Sequence, residues 1–83
     1  MSRLVSAGFG SFVDADKVTA ILPPDSAPIR RRIQEAKEAG MLIDATFGRK
    51  VRTVLYMIQG TVMVCAIATE TMAERLNNTG GGA

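Results

Sequence analysis

The spacing of apolar residues changes along this chain, and each change marks an element. Leu4, Val5 and Ala7 make a short apolar stretch that predicts a strand over residues 3–7. Gly8-Phe9-Gly10-Ser11 breaks it. Phe12-Val13 and then residues 17–22 read as further strands, with Asp14-Ala15-Asp16 as the turn between them and β-branched Val18 and Ile21 favouring that state. Pro23-Pro24 ends the extended run. Ile29, Ile33 and Ala36 then recur at helical spacing. Asp25 or Ser26 can cap this helix, Pro28 is tolerated in its first turn, and Gly40 stops it, which predicts a helix over residues 26–39. Arg30, Arg31, Arg32, Glu35, Lys37 and Glu38 fill its outer face, and Arg31 and Glu35, four apart, can pair.

Beyond Gly40 the pattern returns to strands. Residues 41–45 read as a buried strand. Residues 52–58 and 61–67 read as two more, joined by Gln59-Gly60 as a tight hairpin. A short helix follows over about residues 70–76. Thr71 with Glu74 fits a capping box there, and Thr69 is a rival cap. Residues 77–83, with three consecutive glycines, read as a mobile tail. The sum is one small α+β domain over residues 1–76, with a mostly antiparallel sheet, one long helix and one short one. Eighty-three residues leave no room for a second domain. A core this thin is often supplemented by self-association.

Net charge is only +2, yet its distribution is uneven. Residues 1–39 carry six cations and five acids, residues 40–55 three and one, and residues 56–83 one and two. The surplus sits on Arg49, Lys50 and Arg52, directly after Gly48. Three cations on an exposed turn with no acid beside them suit a polyanion better than a small molecule. The plainer alternative is a solvated hairpin turn. Successive helical residues point ~100° apart, so Arg30-Arg31-Arg32 form no flat patch, and they read as a soluble face or a subunit interface. Asp44, set in an apolar strand, calls for a structural hydrogen bond or a salt bridge to an arginine across an interface.

Enzyme chemistry finds little to work with. Histidine is absent, which removes the commonest general base and metal ligand. Gly8-Phe9-Gly10 lacks the third glycine of a dinucleotide fingerprint, since Val13 stands in its place, and a bulge or positive φ explains it better. The single Cys65 excludes an intrachain disulfide and reads as a buried apolar residue. No signal-peptide profile and no apolar run of ~20 residues is present, so the expectation is a cytoplasmic protein without a membrane partner, catalytic residues, metal, cofactor or small-molecule substrate.

Taken in order, Gly8-Phe9-Gly10, Asp25-Ser-Ala-Pro-Ile-Arg30, Gly40-Met-Leu-Ile-Asp-Ala-Thr-Phe-Gly-Arg-Lys50 and Glu70-Thr-Met-Ala-Glu-Arg-Leu76 resemble the RemA family over about residues 3–76. The resemblance implies a small bacterial DNA-binding transcription factor without enzymatic activity, acting on extracellular matrix genes. It also implies assembly into a ring around which double-stranded DNA bends. The family's DNA-contacting cations map onto Lys17, Arg49 and Lys50, and Arg52 is close enough to join them. Lys17 and Lys50 hold lysine where arginine is usual in the family, which keeps the charge and loses the bidentate fork. Arg30, Arg31, Arg32 and Asp44 are then candidates for the ring's subunit contacts. Two rival readings stand beside this one. A basic ring could bind RNA, although one Tyr and three Phe offer little base stacking. A structural oligomer could use the same cations for subunit contacts alone.

Overall fold

The computed structural model describes residues 3–81, with side chains through residue 78. The chain runs β1 (Leu4–Gly8), β2 (Ser11–Asp14), a 3-10 turn (Ala15–Lys17), β3 (Val18–Leu22), α1 (Ala27–Glu38), β4 (Leu42–Ala45), β5 (Thr53–Met57), a second 3-10 turn (Ile58–Gly60), β6 (Val62–Cys65) and α2 (Thr69–Gly81). β1 and β2 form a hairpin of their own, and the other four strands form a sheet in the order β3-β5-β6-β4. All pairs are antiparallel except β4–β6. The fold is therefore α+β and mostly antiparallel.

Three layers result. β5 and β6 are central strands, so their alternate residues serve opposite faces. Val54, Val62 and Val64 meet α1 through Ala36, Ile29 and Ile33. Leu55, Met63 and Cys65 face the other way and pack with Val5, Ala7 and Val13 of the hairpin and Met72 of α2. Ser26 caps α1 by accepting a hydrogen bond from the Ile29 N–H, which settles the choice between Asp25 and Ser26.

Four local expectations are corrected. Residues 41–45 do not form a buried strand: β4 lies at the sheet edge, with Ile43 46% exposed and Asp44 exposed. The second helix is not short. α2 extends to Gly81, so residues 77–81 lie within it rather than in a tail, and residues 82–83 lie outside the described residues. A helix already nucleated adds residues against a small cost even where Asn, Thr and Gly disfavour it. Its start is Thr69, with the Met72 N–H bonded to the Ala68 carbonyl, so the Thr71 capping box does not form. Arg31 and Glu35 form no ion pair; among the described residues the ion pair is Arg3–Asp16, with Nε donating to Oδ1 at 2.6 Å.

Candidate nucleic-acid interface

The β4–β5 loop is built by short-range hydrogen bonds. Asp44 Oδ1 accepts from the Thr46 N–H at 2.9 Å and from its hydroxyl at 2.6 Å, an Asx turn at the end of β4. These two bonds, the hydroxyl first, hold the Asp44 carboxyl below its ordinary value of 3.8, and the exposed position opposes them little. The Arg49 N–H then returns to the Thr46 carbonyl at 3.1 Å. The two residues enclosed, Phe47 and Gly48, both have positive φ (52° and 84°), the signature of a type I′ turn. At its far end the loop is tied by the Arg52 N–H to the Cys65 carbonyl at 2.8 Å. The Thr69 hydroxyl donates to the Arg52 carbonyl at 3.0 Å, and buried Thr53 donates to the Ile67 carbonyl at 2.6 Å. The start of α2 therefore anchors the end of the basic loop.

A second turn of the same kind stands opposite. Phe9 (φ 56°) and Gly10 (φ 86°) close the β1–β2 hairpin between the paired residues Gly8 and Ser11, and the Ser11 hydroxyl donates to the Gly8 carbonyl at 2.7 Å. Gly8 (φ 92°) lies at a register shift, as the glycine pattern suggested, and a Cβ there would fall 2.6 Å from Ile67 Cδ1. The Arg49 guanidinium lies over the Phe9 ring, 3.8 Å from its centroid. At an exposed site such a cation–π contact is worth about 0.5–1 kcal/mol. It holds the guanidinium against the ring and uses none of its N–H donors in a hydrogen bond among the described residues.

The four cations named from sequence are not one cluster. Arg49, Lys50 and Arg52 share the loop and are all exposed. Arg49 turns toward Phe9, whereas Lys50 and Arg52 line a groove of about 500 Å³ with Pro23, Pro24, Asp25 and Glu70. Lys17 stands at the other end of the sheet, beside Met57, Ile58 and Gln59. The five residues of β5 separate it from the loop by about 17 Å. The acids near Lys17 are occupied: Asp16 pairs with Arg3, and Asp14 accepts from the Asp16 N–H. Of the helical arginines, Arg32 donates to the Gly60 carbonyl at 3.0 Å within the same protomer, while Arg30 and Arg31 point outward. Asp44 spends its carboxylate on the Thr46 turn.

Sequence reasoning missed Phe9 as part of this site. Its only signal was an aromatic residue between two glycines, which reads as a loop breaker. Cys65 is buried among core residues, and burial pushes its thiol up to about 11, far from a reactive thiolate. Among the described residues no group of three or more Cys, Asp or Glu is arranged to hold a metal ion, and no helix is long and apolar enough to cross a membrane.

The surface so described occurs in a chain with close relatives. A protein of Synechococcus elongatus is 50% identical over 78 residues, covering 94% of this chain and 90% of its own length. One from Alkaliphilus metalliredigens is 49% identical over 76 residues, covering 92% and 82%. One from Bacillus cytotoxicus is 49% identical over 76 residues, covering 92% and 87%. Each carries the name "Putative regulatory protein". The sequence model of the RemA-like family, described as extracellular matrix regulatory protein A-like, matches residues 4–76, which takes in both Phe-Gly turns, the basic loop and the start of α2. This chain belongs to the RemA-like family of regulatory proteins.

Proposed function

We propose that this chain is a cytoplasmic, non-enzymatic DNA-binding transcription regulator that works as a ring-shaped homo-oligomer and bends promoter DNA. The observation that carries the reading is the β4–β5 loop. Three exposed cations stand on a turn braced at both ends, with no ion pair to an acid among the described residues. Duplex phosphates suit such a surface, because backbone contacts need charge and reach rather than a shaped pocket. The family description points to extracellular matrix genes as targets. Self-association is supported by exposed apolar residues outside the loop: Leu4 (63% exposed) and Phe12 (61%) on the outer side of the β1–β2 hairpin, and Ile43 on the unpaired edge of β4. Arg30 and Arg31 on α1 are further candidates for subunit contacts. In a ring the basic loop and Lys17 recur with each copy, so weak sites add to a tight one.

The test is binding to a long duplex across a salt series, for wild type and Arg49→Ala/Lys50→Ala, with particle mass followed by light scattering. Removing one cation from a phosphate lowers the slope of log affinity against log salt by about 0.9. A shallower slope in an undiminished particle supports duplex binding by the loop. No binding by the wild type, or loss of the particle with the cations, refutes it in favour of a structural oligomer. Equal-length RNA competing as well as DNA refutes the preference for duplex DNA.

A further inference from the structure

All three phenylalanines lie on the surface. Phe9, Phe12 and Phe47 are 47%, 61% and 59% exposed, while the largest fully buried side chains are those of Leu, Met, Val, Thr and Cys. Phenylalanine is ordinarily a mainstay of cores, so its exclusion from this one asks what else the rings do. Phe12 belongs to the outer hairpin face. Phe9 and Phe47 are different, because each occupies the first central position of a type I′ turn and is followed by glycine. That position favours Asn, Asp or Gly, and a bulky residue there is strained. Neither ring repays the strain by entering the core. Exposed side chains held on strained backbone point to a bound partner.

The surroundings indicate which partner. Arg49 follows Phe47 by two residues and stacks on Phe9, so one guanidinium stands between the two turns. Lys50 and Arg52 follow it on the same loop and line the neighbouring groove. A symmetric contact between two copies through this tip would set like charges against each other. A polyanion that also offers a flat apolar surface satisfies both features at once. Duplex DNA does so in the minor groove, where arginine is drawn by the potential and apolar side chains press between base-pair steps. Resting on the duplex-binding reading above, we propose that Phe47 is a wedge residue that unstacks a base-pair step from the minor groove, with Phe9 holding Arg49 alongside it. The Phe-Gly turns then supply the kink, and the cations supply the grip.

The experiment uses the intact oligomer and a long A·T-rich duplex carrying 2-aminopurine at TpA steps, which unstack readily. Wild type raises the 2-aminopurine fluorescence on binding. Phe47→Ala removes that rise and weakens binding about tenfold, while the salt slope and particle mass stay unchanged, since an apolar contact releases no counterions. Phe47→Leu restores the signal in part. Phe47→Asn, whose side chain tolerates the turn, behaves like Phe47→Ala in a fold at least as stable as wild type, which removes misfolding as the cause. The wedge alone is refuted if wild type binds with a steep salt slope but without fluorescence change, or if Phe47→Ala matches wild type. Loss of the particle in Phe47→Ala and Phe47→Asn assigns the ring to subunit contact and also refutes the wedge. Absence of any salt-dependent binding by wild type refutes both the wedge and the duplex-binding reading.

Discussion

Replacing Gly8 by Ala tests the hinge on which the Phe9 turn depends. Two costs apply, and a neighbouring glycine separates them. The first is conformational: at φ 92° an L-residue is strained by about 1–2 kcal/mol. The second is steric. The new Cβ would lie 2.6 Å from Ile67 Cδ1 and 2.8 Å from Cγ1, a half-buried side chain packed against the core. Making room for a methyl group in such packing costs about 1–3 kcal/mol. Gly8→Ala should therefore destabilise by about 2–5 kcal/mol, which for a domain of this size lowers Tm by at least about 10 °C. Gly10 has φ 86° and open space where its Cβ would stand, so Gly10→Ala bears the first cost alone. The assay is thermal unfolding followed by circular dichroism at one fixed protein concentration, because the proposed self-association would make Tm concentration-dependent. The double variant Gly8→Ala/Ile67→Ala should lose less than the sum of its two single changes, since the second removes the clash created by the first. Equal losses for Gly8→Ala and Gly10→Ala, together with strict additivity in the double variant, would refute the close approach of the turn to Ile67.

Other consequences follow from the polar ties of the loop. Asp44 has a lowered folded pKa, so its contribution is full above the ordinary 3.8 and disappears as pH falls through the lowered value. Asp44→Asn should be less stable than wild type at neutral pH and equal to it in strong acid, as pH-dependent unfolding will reveal; a constant gap at every pH would count against the Asx turn. Thr53→Val leaves the Ile67 carbonyl without its 2.6 Å donor and should cost about 1–3 kcal/mol in urea unfolding, whereas Thr53→Ser should retain most of that. Cys65 should resist thiol reagents at pH 8 in the folded protein and react once urea unfolds it; rapid native labelling would contradict its burial.

How much of this was legible depends on whether the deciding interaction is local. The first helix was readable from Ser26, Pro28 and Gly40, because capping and termination act within one turn. The glycine turns at Gly8-Phe9-Gly10 and Gln59-Gly60 were readable for the same reason. The burial of β4 was not. Met41, Leu42 and Ile43 have the composition of a central strand, and only the order β3-β5-β6-β4 puts them at the edge. Nor was the extent of α2, where Asn and Gly argue against the helix they complete. In the site itself, the β4–β5 cations stood out as a local excess of charge. Phe9 and Arg49 lie forty residues apart, and no periodicity connects them. The remoteness of Lys17 from the loop is likewise set by strand pairing, with Val18 opposite Met57 and Leu22 opposite Val54.

The arrangement of ties around the loop bears directly on how modest charge could grip DNA. Free lysine and arginine side chains lose rotamer freedom when they bind, and that loss offsets much of each phosphate contact. Here the backbone beneath them is already ordered by the Asp44–Thr46 bonds at one end and by the Arg52 and Thr69 bonds at the other. Arg49 is ordered further by Phe9. Pre-organisation of this kind is a small gain in one protomer, whose loop can meet only a few phosphates. In the proposed ring it would multiply, because every loop would meet the duplex in the same ordered state. Loop order and particle assembly rest on different residues: the first on Phe9, Asp44, Thr46 and Thr69, the second, in the proposed reading, on the outer hairpin face and the β4 edge. Loosening the loop should therefore weaken DNA binding in a particle of unchanged mass, whereas a charge placed at Phe12 or Ile43 should dissolve the particle while leaving the loop intact.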